Sequence, residues 1–423
     1  MNVCIFEDDR VGLLDPLTLT HPAFDLWCGT SSLLDRQRRY FAATQVGAMV
    51  RPALAEAVQA KHAAHMVVND PAWLAEEAQV LVNARWLPPA GRAPDLRAPQ
   101  VALVGDQVAY VVRPPGLADC APETVASRVR LWKQALPQHA GGGAMIDYAW
   151  DLVGHNGEAI WQDWAWRRAA APGGALPAAV VGPAERALVH PGATVEPMVV
   201  LDTRPGPVII DGGAVVQAFS RLEGPCYVGP QTWVAGAKLR GSSLGPHCRI
   251  GGEVECSVVQ GYSNKYHDGF LGHSYLGEWV NLGAGTQTSD LRNDYGPVEV
   301  TVDGERVCTG QTKVGSFIGD HTKSGIGTLL NTGTVVGAFA QLLPTGSYLP
   351  KVVPSFCQVC RGQLQERTDL RQLLNTAESV LRRRGAEWGP AQTNFVFNLH
   401  EETMKRRRDV IRASEQRRLR HIV

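Results

Sequence analysis

Asn264–Thr286 reads NKYHDGFLGHSYLGEWVNLGAGT, and its spacing decides the fold. Leu276-Gly277 and Leu282-Gly283 stand six residues apart, and the beat returns at Ile318-Gly319, Ser324-Gly325, Leu330 and Val336-Gly337. Upstream it passes through Val228-Gly229, Val234, Leu244-Gly245, Ile250-Gly251 and Cys256. A short fixed period means one supersecondary unit stacked on itself, and a six-residue period belongs to β-helices. The pattern predicts a left-handed parallel β-helix whose aliphatic residues fill the prism and whose glycines permit a positive-φ corner.

Outward from this repeat the chain divides by texture. Residues 1–168 mix β-branched runs, such as PQVALVGDQVAYVV at Pro99–Val112, with helical stretches such as Ser31–Ala43, which predicts an α/β domain. A small-residue linker over 169–186 follows, then the β-helix over 187–354. Between Asp290 and Gly315, YGPVEVTVDGERVCTG alternates about Asp303-Gly304, a hairpin signal that predicts a ribbon thrown out of the prism. Residues 355–423 read as a helical tail, with candidates at Leu364–Arg384 and Thr393–His421 separated by Gly385 and Gly389-Pro390.

Composition excludes several classes. Apolar residues make up 44% and charged residues 19% of 423, and no apolar run is long enough for a membrane span. The opening MNVCIFEDDR is acidic where a signal peptide would be basic, so a cytoplasmic location is expected. Formal net charge is +0, which argues against a nucleic-acid partner, although Lys405–His421 is locally basic and reads as a solvated helix face. Nine scattered cysteines read as small buried hydrophobes, and the lone Cys357-x-x-Cys360 pair is not a metal motif.

The run Ser263–Thr286 resembles the acetyltransferase half of the GlmU family, whose motif ends in the same G-A-G-T. Counting back from Thr286, the resemblance puts the family's catalytic histidine on His267 and sets His273 at an aspartate position. It also implies substrate or coenzyme A contacts at Asn264, Lys265, Phe270, His273, Asn281, Asp290, Arg292 and Lys313. Phe270 replaces a tyrosine and Asp290 an asparagine of the family motif, so Arg292 is expected to balance the Asp290 charge. Histidine suits the chemistry, because an amine attacking a thioester must lose a proton near neutral pH.

Pro16–Arg36, PLTLTHPAFDLWCGTSSLLDR, resembles the start of sugar-phosphate nucleotidyltransferases, a Rossmann-like fold. That family's glycine-rich phosphate turn is replaced by EDDRVGLLD, its lysine by Ala23, and its metal-binding aspartate by Arg85 in VLVNARWL. The candidate ligand site is therefore a divergent one built from Asp8, Asp9, Arg10, Thr18, His21, Asp25, Asn83 and Arg85. No metal ligands are assigned, and a need for Mg²⁺ stays open at this point.

The resemblance implies a homotrimeric acyltransferase that uses acetyl-CoA or another acyl-CoA on an amino-sugar phosphate or sugar nucleotide. Two alternatives stand beside it. One is a sugar-1-phosphate nucleotidyltransferase with an unusual phosphate loop, and the other a non-catalytic trimeric scaffold that senses a sugar nucleotide.

Overall fold

The computed structural model describes residues 1–94, 96–114, 116–117, 120–170, 178–344 and 346–420. The N-terminal domain is the expected α/β unit. Its central strand, Asn2–Phe6, runs parallel to Gln45–Met49 and Val80–Asn83. Met66–Val68 extends one edge, and the antiparallel pair Gln107–Val112 and Gln100–Val104 extends the other. Val3 and Ile5 enter one apolar layer while Cys4 and Phe6 enter the second, the alternation of a strand covered on both faces. The helices are α1 (Leu33–Phe41), α2 (Pro52–His62), α3 (Pro71–Glu77), α4 (Val125–Ala135) and α5 (Ala149–Ala170). Ser32 caps α1 by accepting the Asp35 N–H at 3.1 Å, and Asp70 caps α3 with Pro71 at its first position.

The expected linker falls partly on residues outside the description, 171–177, and its far end is already a strand, Ala179–Val181. From there the chain coils into a prism of three parallel sheets. Val208 lies beside Cys226 and Ser316 beside Thr334, so these turns take eighteen residues, three hexapeptides. Each turn visits a first face (for example Tyr275–Glu278), a first corner, a second face (Asn264–Lys265), a second corner, a third face (Phe270–Gly272) and a third corner. The interior is a ladder of Val, Leu, Ile and small residues, among them Val228, Val234, Leu239, Leu244, Ile250 and Leu276, all shut off from solvent. Where Tyr275 pairs with Phe317, the register jumps past the ribbon. The ribbon is the predicted hairpin, Glu299–Val302 against Glu305–Cys308, turning at Asp303 and Gly304 with φ of 47° and 86°.

The glycines act otherwise than expected. Gly229, Gly245, Gly277, Gly319 and Gly337 are absent from the positive-φ positions. They are small because the neighbouring coil lies against them: a Cβ on Gly245 would sit 1.8 Å from the Gln260 carbonyl, and one on Gly337 2.2 Å from the Ser355 nitrogen. The left-handed residue comes two places later. At the first corner it is His247, Trp279, His321 and Phe339, each with φ near 60°. Their rings stack with those of Tyr262 and Phe356 into one outer column with centroids 4.3–6.2 Å apart. Stacking offsets the αL cost that a side chain carries at such a corner.

The tail also departs from expectation. Leu364 does not open a helix: Gln363–Glu366 turns back antiparallel on Cys357–Cys360 and closes the end of the prism. An open coil end would leave unpaired backbone groups over an apolar interior, and this hairpin satisfies them. Cys357 and Cys360, three apart on one strand, point to opposite sides. Helices α6 (Leu370–Arg382), α7 (Pro390–Glu402) and α8 (Met404–Arg420) follow. The basic tail is not wholly a solvated face, because Arg407 is fully buried, bonded to Glu366 at 2.6 Å and lying over the Phe356 ring. His421, the end of the second helix candidate, lies outside the described residues, as does the rest of the tail beyond it.

If close coil contact rather than φ dictates the repeat glycines, Gly245→Ala should destabilise by about 3 kcal/mol or more. Gly327→Ala has φ of 69° and no atom within 4 Å, and should lose only about 1 kcal/mol. Urea unfolding of the two variants checks the ranking, and equal losses would count against it.

Candidate functional site

The third corner gathers a set of reactive side chains. His273 and, one coil below it, Cys256 occupy the same corner position, both with φ of 43°. The ladder bonds the His273 N–H to the Glu255 carbonyl and the Gly315 N–H to the His273 carbonyl, both at 2.9 Å. Asp290 arrives one coil above, and its Oδ2 lies 2.7 Å from His273 Nδ1. Burial alone would lower the imidazole's pKa, but bonds to Asp290 and to the Cys256 thiol outweigh it and raise the value to about 9. Asp290 holds Nδ1 in the donor role, and Nε2 is the nitrogen that can exchange a proton with a substrate.

Two cations flank this dyad through Glu255, with Lys313 at 3.4 Å and Arg240 at 3.8 Å, both side chains about half exposed. Donor atoms of Glu255, Cys256 and His273 all lie within 4.8 Å of one another, a spacing a divalent ion could use. Lys313 and Arg240 compete with such an ion for Glu255, and Arg240 also pairs with Glu223 at 3.4 Å. Arg240, Glu255 and Gly272 are register neighbours, a relation that stacked coils reveal and a linear reading does not. Glu255, Cys256 and Arg240 were missed for that reason.

The other β-helix candidates scatter. His267 sits exposed at the second corner, edge-on to Tyr266 at 5.5 Å. Lys265 is no phosphate clamp: it is buried, its ammonium bonds the carbonyls of Gly251 (2.8 Å) and His267 (2.7 Å), and burial holds it down to about 8 against the pull of Asp268. Arg292 does not balance Asp290, since it pairs with Asp294 at 2.8 Å and His273 takes its place. The Phe270 backbone is tied to Gln287. Asn264 donates to Asn281 at 2.7 Å, and both line a groove on the second face.

The N-terminal candidates separate into two groups. Arg85, fully buried, places Nε 2.8 Å and Nη2 2.6 Å from the two oxygens of Asp8. Its Nη1 reaches Asp147 at 2.9 Å, while Asn83 donates to Asp8 at 2.8 Å and Arg10 approaches Asp147 at 3.3 Å. Burial raises the Asp8 carboxyl, yet the Arg85 bonds and charge bring it below its ordinary range. A guanidinium thus stands between the two carboxylates that would otherwise face a cation, so these residues do not fit Mg²⁺. Asp9 turns away to exposed Arg130.

Thr18, His21 and Asp25 do not join that cluster. Thr18 bonds the Val11 carbonyl and Asp15. His21 pairs with Asp320 of the β-helix at 2.7 Å, and Asp25 holds Lys61 and His62, with Lys61 reaching on to Glu278. These residues seal the seam between domains, because charges buried there need partners.

Residues 3–170 match the protein-family model described as sugar nucleotidyl transferase. A bifunctional sugar-1-phosphate nucleotidylyltransferase/acetyltransferase of Sulfurisphaera tokodaii is 40% identical over 98 residues, 23% of this chain and 24% of that protein. A bifunctional protein GlmU of Gloeothece citriformis is 32% identical over 138 residues, 32% of this chain and 26% of that protein. The chain spans about a quarter of the length of these curated relatives. The solved UDP-N-acetylglucosamine acyltransferase of Arabidopsis is 12% identical, covering 56% of this chain and 93% of that one at a TM-score of 0.20, too little overlap to define a shared fold.

The dyad makes a titration prediction. Asp290→Asn should move the His273 pKa from about 9 down toward the ordinary histidine value. The native pair should stabilise the fold below about pH 6.5, and that contribution should fade as pH rises through the folded value near 9. Imidazole NMR across that range reads the shift, and an unchanged midpoint in the variant would refute the assignment.

Proposed function

From a chain that resembles the GlmU family at low identity, we propose that the β-helix transfers an acyl group from a coenzyme A thioester to the amine of an amino-sugar phosphate or sugar nucleotide. The carrying observation is the His273–Asp290 dyad flanked by Lys313 and Arg240. The amine nitrogen attacks the thioester carbonyl, the carbon–sulfur bond breaks, and the amine proton passes to Nε2 and on to the departing thiolate. Asp290 orients the ring and stabilises its charged form, while Lys313 and Arg240 attract phosphate. Among the described residues His267 has no carboxylate partner to orient it, so we place the base on His273. Because His273 is protonated near neutrality, the rate should climb as pH approaches 9. A homotrimer remains part of the reading. The first face is covered by the N-terminal domain, which leaves the third, with Arg221, Lys238 and Glu253 on its surface, for subunit contact.

His273→Gln should reduce acyl transfer by roughly 10²- to 10⁴-fold, and His267→Ala should change it little. Release of free thiol from acetyl-CoA with a panel of amino-sugar phosphates measures both, and the opposite ranking would return the base to His267.

The family model over 3–170 favours a second reading, sugar-1-phosphate nucleotidyl transfer by the N-terminal domain. The Asp8–Arg85–Asp147 network opposes it, since phosphoryl chemistry depends on electrostatic positioning and here the carboxylates are already neutralised. Magnesium-dependent release of pyrophosphate from a nucleoside triphosphate and a sugar-1-phosphate should be weak or absent. Turnover that disappears in Asp8→Asn would establish the activity after all.

A further inference from the structure

The groove on the second face lies apart from the His273 corner and is unusual in its charge. Its floor is one column of outward side chains, each beside the next in register: Trp233, Arg249, Asn264, Asn281 and Lys323. Coils stack about 4.8 Å apart, so Arg249 and Lys323, three coils from each other, are separated by about 14 Å along the column. Helix α6 forms the opposite wall with Arg383 and Arg384 just past its end. The space between holds about 590 Å³, the size of a pocket for a nucleotide-sized ligand.

Among the described residues four cations line this space and no carboxylate does. Arg249 bonds the carbonyls of Gln231 and Cys248, and its guanidinium lies 4.6 Å over the Trp233 ring. Lys323 donates to the Trp279 carbonyl at 2.6 Å, and burial holds its ammonium down to about 8. Burial and then the Arg384 charge depress Arg249 as well, so the cations repel one another across the groove. Two or more phosphates would relieve that repulsion, because guanidinium forks match phosphate oxygens. The walls also carry exposed faces of Trp233 and Tyr266, rings on which a base can stack. Between the cations, the buried Asn264 Oδ1 has no hydrogen-bond partner among the described residues.

We infer that this groove is a binding site for a nucleoside diphosphate moiety, with the base on Trp233 and the diphosphate between Arg249, Lys323, Arg383 and Arg384. The site stands independently of any acyl transfer at the third corner. Adenosine diphosphate within coenzyme A and uridine diphosphate within a sugar nucleotide share this chemistry, and separate arms of one experiment tell them apart.

Calorimetric titration of the full chain at low salt with ADP, UDP and inorganic pyrophosphate tests it. ADP or UDP should bind with an affinity that falls steeply as salt rises, and the tighter of the two identifies the source. The paired substitution Arg383→Ala with Arg384→Ala, both at the end of α6, should weaken nucleotide and pyrophosphate alike by about tenfold or more. Trp233→Ala should weaken the nucleotide more than pyrophosphate, by about a further tenfold for one lost stacking contact. Absence of nucleotide binding, or binding unchanged by the arginine pair, overturns the inference. The second of those results would place the nucleotide elsewhere on the chain.

Discussion

Close approach of one coil to the next is the constraint on which this molecule depends. Stacking at strand spacing leaves no room for a side chain at Gly229, Gly245, Gly277, Gly319 and Gly337, where first-face strands enter their corner, while Gln260 takes that place in the coil between Gly245 and Gly277. Once the coils are that close, the side chains two residues further on become a column. At the first corner the column is aromatic, and it includes His321, which burial, with Lys323 beside it, holds down to about 3. At the third corner the same stacking sets His273 over Cys256 and brings Asp290 to it. Close stacking of coils thus shapes both the scaffold and the reactive cluster.

The N-terminal domain is fastened to the first face by contacts that leave it little freedom. The Tyr275 hydroxyl accepts the Trp27 N–H at 2.8 Å and donates to Gln260 at 2.7 Å. Asn156 of α5 takes the Gly29 N–H and the Ser243 hydroxyl, both at 2.8 Å, tying a loop, a helix and a β-helix coil together. The ion pairs His21–Asp320 and Lys61–Glu278 cross the same seam. Buried pairs of this kind specify one docking geometry more than they add stability, since desolvation offsets most of their attraction. Polar residues grouped near Pro16–Arg36 therefore serve assembly, where a ligand site was expected.

Charge distribution separates the three polar centres. In the N-terminal domain every carboxylate near Arg85 is matched, so the cluster is closed on itself. At the third corner Asp290 is matched by a titrating group, which leaves a proton to be exchanged. On the second face the cations have no counter-charge among the described residues, which leaves binding energy for an anion.

The sequence alone determined the β-helix, because a six-residue apolar beat has one compact solution, and it determined the ribbon through Asp303-Gly304 at its turn. It also marked His273, Asp290 and Lys313 as members of a polar set. Which of them meet was decided by tertiary structure. Coils of unequal length, seen where Trp233 pairs with Arg249 but Tyr275 with Phe317, hide which residues share a column, so His267 and His273 could not be ranked by counting. Arg383 and Arg384 reach the groove only because the tail folds back along the prism, and His21 meets Asp320 only because two domains dock. Local periodicity is written in neighbouring residues, whereas the pairing of charges across coils and domains is a property of distance in space alone.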